Sequence, residues 1–135
     1  MGKVKCFEEL EVFQKARELC KDIYKVTNMD PFASDYRFVQ QVRAAAGSIM
    51  DNIAEGFERN GNKEFVNFLY IAKGSCGEVR SQVRRANDVG FLNDAQASIL
   101  MDKCKDISKG LYHLVYNISK SGYVGHKFYE PQQDS

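Results

Sequence analysis

Tryptophan is missing from this chain, and only two of its 135 residues are proline. Those two, Pro31 and Pro131, leave everything between them free of the ring that breaks helices. No apolar run approaches the roughly 20 residues needed to cross a bilayer, so no membrane partner is expected. The first residues, MGKVKCFEELEV, carry lysines but lack the apolar core of about seven residues or more that a secretory signal needs. Residue 6 is Cys6 where myristoylation favours Ser or Thr. A cytoplasmic location is the expectation. Nor does either sign of charge dominate: nineteen basic and eighteen acidic residues give a net charge of +1. That balance argues against a highly charged nucleic-acid tail and still permits a local basic surface, because acids elsewhere can cancel it.

Reactive constellations are equally scarce. The four cysteines, Cys6, Cys20, Cys76 and Cys104, are isolated. Without an export signal they read as reduced thiols rather than two disulfides, with Cys76, Cys104 and Cys20 serving as small residues on apolar helix faces. His113 and His126 are too far from them in spacing to propose zinc. A di-metal bundle needs Glu-x-x-His, and Gly110 stands where His113 would need its glutamate. The phosphate loop, the dinucleotide fingerprint, the Gly-x-Ser-x-Gly elbow and His-Glu-x-x-His are all absent. Neither cofactor nor metal is expected, and the protein is not expected to be an enzyme.

What the chain does have is helical period. A chain of this length fits one domain that buries roughly two-thirds of its unfolded surface. From Glu8 to about Val26, Leu10, Phe13, Ala16, Cys20, Ile23 and Thr27 recur at helical spacing, with Phe7 as a hydrophobic staple ahead of them. Asp30-Pro31 marks a turn, and Ser34 or Asp35 can cap a second helix over 35–57. Asn60-Gly61 suits a tight turn, with Asn62 a candidate cap for a third helix over 63–87. Gly90 is placed to end it, and Asn93 with Gln96 has capping-box spacing for a fourth helix reaching Ile118 or Ser119. Short connections between four such segments predict an all-α, antiparallel up-down-up-down four-helix bundle over residues 1–122, followed by a C-terminal tail, 123–135. In that tail Tyr123, Phe128 and Tyr129 are available to dock on a neighbour. The runner-up is a three-helix core with one helix completed in an oligomer.

The second helix carries two stripes. Phe38, Val42, Ala45, Ile49 and Ile53 recur at steps of three and four and form the core face. Gln41, Ser48, Asn52, Glu55 and Arg59 form a second line that donates and accepts hydrogen bonds, flanked by the small residues Ala44, Ala46 and Gly47. Such a line implies a specific partner, within the bundle or in another chain. Glu55 would serve as a general base only if buried, and no nucleophile accompanies it, so an internal or interfacial polar network is the plainer reading. In the third helix Gly74 and Gly77 each cost up to about 1 kcal/mol relative to alanine, and close helix contact is the expected compensation.

The long cations are Arg37, Arg43, Arg59, Lys63, Lys73, Arg80, Arg84 and Arg85. A solvated or salt-bridged face is their plain reading and phosphate contact the sharper one. Tyr36, Phe57 and Tyr70 offer stacking groups, though aromatic residues in bundle helices more often belong to the core.

Gln41-Val42-Arg43, Ser48-Ile49, Asn52-Ile53-Ala54-Glu55-Gly56, Arg59, Lys63-Glu64-Phe65, Phe68-Leu69, Ile71-Ala72 and Gly74-Ser75 together carry a family likeness. With Phe7, Leu10, Ala16, Tyr24, Phe32 and Glu78, this pattern resembles the four-helix-bundle proteins encoded within intervening sequences of bacterial large-subunit ribosomal RNA genes. Ala44 departs from a second arginine common in that family, and Cys76-Gly77 from its more usual leucine and variable residue. The resemblance implies a protomer that assembles as a ring, a pentamer. It extends to the accessory bundle proteins of diversity-generating retroelements, whose basic ring works with a reverse transcriptase and nucleic acid. The implied function is a noncatalytic homo-oligomer that binds RNA or DNA. Arg43 and Arg59 are the first candidate contacts, followed by Arg80, Arg84 and Arg85. Gln41, Ser48, Asn52 and Glu55 are the candidates for an interface or polar network. The alternative is a structural or protein-interaction ring, with a protein partner and no direct nucleic-acid contact.

Overall fold

Helical period, caps and turn residues agree along nearly the whole chain, and the computed structural model follows them. It describes residues 4–59 and 61–121. Four helices make up the fold: α1 (Glu11–Thr27), α2 (Tyr36–Glu58), α3 (Asn62–Asp88) and α4 (Asp94–Ser121). Each packs on the next, and α1 also meets α4, which closes an up-down-up-down bundle. The expected tail, with Tyr123, Phe128, Tyr129 and His126, lies outside the described residues, as does Asn60.

Two helix starts differ from the sequence reading, each for a local reason. The first helix does not begin at Glu8. Phe7–Glu9 forms a separate 3-10 turn, and Leu10 follows in extended backbone with its side chain fully buried. That break turns Leu10 inward, while the Phe7 ring meets Phe13 edge-on at 4.9 Å, a contact set back from the N′-to-N4 staple expected, because Leu10 is the cap. At α3, Asn62 is the first helical residue rather than the cap. Gly61 takes the cap position at φ 124°, a conformation that glycine adopts without a Cβ clash.

The remaining ends follow expectation to within a residue, except that α4 runs on to Ser121, past the expected Ile118 or Ser119. The Asp35 carboxylate accepts the Phe38 amide at 3.1 Å and starts α2. Gly90 at φ 85° ends α3, and the Phe91 amide donates to the Ala86 carbonyl at 2.8 Å, a Schellman closure. Asn93 and Gln96 exchange the two bonds of a capping box, at 2.8 and 2.9 Å. The Asp30-Pro31 turn contains a cis peptide bond. Beyond it Phe32 stacks on Phe38 and Phe91, with both centroids 5.1 Å away, and seals that end of the bundle.

All five residues of the predicted α2 core stripe are buried. So are Leu69, Ala72, Cys76, Val79 and Val83 from α3, and Leu100, Cys104, Ile107, Leu111 and Ile118 from α4. Phe68, Met101 and Cys20 are half-buried at the edge of that core, and Tyr24 is exposed. Gly110 lets α4 pass close to α1, since a Cβ there would lie 3.0 Å from Val12 Cγ1. Lys15–Asp106, at 2.9 Å, and Lys103–Asp22 clip the α1–α4 seam near the surface. Among the described residues no helix is long and apolar enough to cross a membrane.

Candidate functional site

The polar stripe of α2 runs along the α3 side of the bundle and divides by depth: its middle is part-buried between the helices and its two ends are exposed. At its middle, Ser48 Oγ and Ser75 Oγ lie 2.9 Å apart across the α2–α3 seam. Asn52 Nδ2 donates to the Ser48 carbonyl at 2.8 Å and to Ser48 Oγ at 3.0 Å. These three residues form a satisfied network within one chain. Further along, Arg59 donates to Glu55 at 2.9 Å and to Glu64 at 3.4 Å, linking the end of α2 to the first turn of α3. The hydrogen bond to Glu55 pushes the Arg59 guanidinium above its usual range. Glu55 is exposed, which removes the burial that a general base at this position would need.

Gln41, at the other end of the stripe, is exposed on the rim of a groove between α2 and α3, with Ala44, Ser81 and Arg85. Gln82 sits at the base of this groove with only 5% of its surface exposed. Among the described residues its Oε1 is the buried side-chain atom that lacks a hydrogen-bond partner. Unmet acceptors of this kind are uncommon in folded proteins and cost about 1–3 kcal/mol. Gln82 escaped the sequence reading, although its place beside Val79, Val83 and Ala86 on the inner side of α3 was a usable signal.

The glycines are used differently from expectation. Among the described residues, nothing beyond the local helix backbone and the chain neighbours lies within 4 Å of a Cβ placed at Gly47, Gly74 or Gly77. Close contact inside the bundle therefore does not explain Gly74 and Gly77. The close approach occurs at Gly56, where a Cβ would fall 2.6 Å from Phe68 Cβ and 3.1 Å from the Phe65 ring. Only packing decides where along the helix pair the close approach falls.

The five candidate arginines are spread over several seams. Arg43 Nε donates to Thr27 Oγ1 and its Nη2 to Asn28 Oδ1, each at 2.9 Å, while its guanidinium lies 4.4 Å from the Tyr24 ring centre. This brace ties α2 to the C-terminal end of α1, where a cation also complements the helix dipole. Arg59 is held by its two glutamates and lies over Phe68 at 5.1 Å. Arg85 lies 4.2 Å over Phe38 on the α2 side of α3. Arg84 faces the opposite way, into a shallow α3–α4 groove shared with Ser98, Asp102 and Lys105. Arg80 also acts towards α4, since its charge opposes the burial that pushes the Cys104 thiol up to about 11. Arg80, Arg84 and Lys105 are exposed, and none makes an ion pair among the described residues. Nothing in the sequence sets Lys105 apart from other helix lysines; only the α3–α4 groove brings it beside Arg84.

All four cysteines are free thiols. Burial pushes Cys76 up to about 12, with Cys104 nearby adding to the shift and Lys73 opposing it. Such protonated, enclosed thiols are poor nucleophiles and poor metal ligands. Among the described residues no group of three or more His, Cys, Asp or Glu side chains is placed to hold a metal ion. Phe57 is buried against Phe65, so it cannot stack on a ligand, whereas Tyr36 and Tyr70 are exposed.

The family model described as 23S rRNA-intervening sequence protein matches residues 8–113. A crystal structure of a protein with unknown function from the S23 ribosomal protein family of Bacteroides thetaiotaomicron has a similar fold. Its TM-score is 0.71 at 20% identity, over 77% of this chain and 97% of that one. No curated protein matches the chain.

Proposed function

Because this chain belongs to the 23S rRNA-intervening sequence protein family, we propose that it is a noncatalytic, cytoplasmic homo-oligomer that associates with RNA or DNA through exposed helical cations. The observation that carries this reading is the set Arg80, Arg84 and Lys105, which are exposed and free of ion pairs among the described residues. Phosphate contacts from such side chains supply affinity without reading bases. A net charge of +1 gives one protomer little long-range attraction, so several copies acting together supply the binding strength. A ring, a pentamer on the family likeness, provides that multivalency. The further likeness to retroelement accessory bundles belongs to this proposal too. Arg80 and Arg84 lead among the contacts and Arg85 follows, while Arg43 and Arg59 contribute less because their guanidinium groups already have partners within the protomer.

The test is the mass of the purified protein by light scattering after size separation, alone and with structured ribosomal RNA, at low and physiological salt. The expected outcome is a ring whose mass rises further with RNA, more strongly at low salt. A protomer-sized particle that ignores RNA at both salts would overturn the proposal.

A second reading, a structural or protein-interaction ring, is favoured by the unmet Gln82 acceptor beneath the α2–α3 groove. A neighbouring copy seated there could donate to Gln82 and cover Gly47 and Gly74. Ala44→Trp places bulk on the exposed rim without entering the core. On this reading it reduces the particle to protomers while the helical circular dichroism signal stays unchanged, and wild-type rings leave RNA unbound.

A further inference from the structure

The helical register of α3 and α4 turns one continuous face to solvent beside the groove that holds Arg84 and Lys105. On α4, Lys105, Lys109, Tyr112 and Tyr116 follow at steps of four, three and four, which keeps them on one side of the helix. On α3, Tyr70, Arg80 and Arg84 share the facing side, with Gly77 between them. The described tyrosines are all exposed, and three of them stand on this face, with 53% of Tyr70, 52% of Tyr112 and 51% of Tyr116 exposed. None of them belongs to the core, and His113 meets the Tyr112 ring edge-on at 5.8 Å.

Asp94 and Asp102 line the same groove as Arg84 and Lys105, and Asp88 ends α3. Beyond Asp102 the face carries Lys105 and Lys109 and then the tyrosines, and Lys120 Nζ stands 5.7 Å over the Tyr116 ring. Lys109, like Lys105, is exposed and makes no ion pair among the described residues. A phosphate backbone can therefore run along the lysines while bases reach the rings.

We infer that this α3–α4 face binds single-stranded nucleic acid, with Arg80, Arg84, Lys105 and Lys109 taking phosphates and Tyr70, Tyr112 and Tyr116 stacking on unpaired bases. The inference rests on the nucleic-acid reading above and narrows it to one surface and one form of ligand. Duplex is disfavoured because its bases already stack at a 3.4 Å step. Tyr112 and Tyr116 are about 6 Å apart along the helix axis, a spacing suited to bases that have separated from one another. Cations along a groove with aromatic platforms beside it are the combination that holds single strands with little sequence preference.

The experiment is fluorescence anisotropy of the full chain with labelled oligouridylate, oligothymidylate and a blunt RNA duplex, over a range of salt. Wild-type protein is expected to bind a single strand more tightly than duplex, and the first two probes report whether RNA, DNA or both are accepted. Tyr112→Ala with Tyr116→Ala is expected to weaken single-strand binding by about fivefold or more per ring and to leave duplex binding unchanged. Tyr112→Phe with Tyr116→Phe keeps the platforms and should retain affinity. Lys105→Gln with Lys109→Gln should reduce the magnitude of the log-log salt slope for single strands by about 1.4. All the replaced residues are exposed, and thermal melts followed by circular dichroism verify the fold. Single-strand affinity unchanged in the Ala pair, or a wild-type preference for duplex, overturns the inference and leaves the broader nucleic-acid reading standing. Failure of the wild type to bind any of the three probes overturns both.

Discussion

Glycines in this bundle do opposite work depending on what stands opposite them. At Gly56 a methyl group would collide with Phe68 Cβ at 2.6 Å, and Cβ atoms cannot swing aside as a long side chain would. Gly56→Ala should therefore destabilise the protein by about 1–3 kcal/mol, the usual cost of overpacking. Gly74 is exposed with open space around it in the protomer. Gly74→Ala should stabilise the protomer by about 0.5–1 kcal/mol through helix propensity alone. Urea midpoints of the two variants measured under dissociating dilution test the pair. A shift in the same direction for both would contradict this account of α2–α3 packing. Arg43 gives the same lesson for charge: its position in the family-like motif was legible, but its two bonds to Thr27 and Asn28 make it a brace first.

Among the elements, α4 depends most visibly on a local device. Its first turn is secured by the reciprocal bonds of Asn93 and Gln96, and the preceding Leu92 carbonyl accepts from Asn87 Nδ2 at 3.0 Å. Removing the Asn93 acceptor leaves the Gln96 amide to solvent. Asn93→Ala should cost about 1 kcal/mol, and Asn93→Asp should retain most of that stability. Thermal unfolding of the two variants measures it; equal losses would mean that the cap geometry contributes little. Spacing alone identified this box, as it did Gly90, because a capping box is made and satisfied within four consecutive residues. The break at Leu10 was not legible in the same way. Glu8 to Val12 reads as good helix, and only the chance to bury Leu10 completely against other elements draws it out of the helix.

For the molecule as a whole, pH should report the burial of the α3–α4 seam. Cys76 and Cys104, 1% exposed each, are pushed from an ordinary 9.0 up to about 12 and about 11, chiefly by burial. In the unfolded chain these thiols ionise above pH 9, while in the folded chain they stay protonated. Their contribution is thus fully present below pH 9 and is lost as pH rises through about 11 and then about 12. The slope is at most about 1.4 kcal/mol per pH unit for each thiol. Urea unfolding between pH 7 and pH 10.5, compared with Cys76→Ala/Cys104→Ala, isolates this part from other groups. The double variant should start less stable and decline less steeply. Parallel declines would show that the thiols ionise alike in both states.

Sequence by itself determined the number and order of helices, their core faces and most of their ends. Those features depend on period and on contacts a few residues apart, so they are written locally. It also pointed to Gln41, Ser48, Asn52, Glu55 and Arg59 as a special line. Only tertiary structure divided that line into an internal Ser48–Ser75–Asn52 network, an exposed Glu55–Arg59–Glu64 bridge and a groove-side Gln41. Tertiary structure likewise exposed Gln82 as an unmet acceptor and assigned the close helix approach to Gly56 instead of Gly74. The reason is geometric: period says which residues share a face, whereas the crossing and register of two helices decide what that face meets.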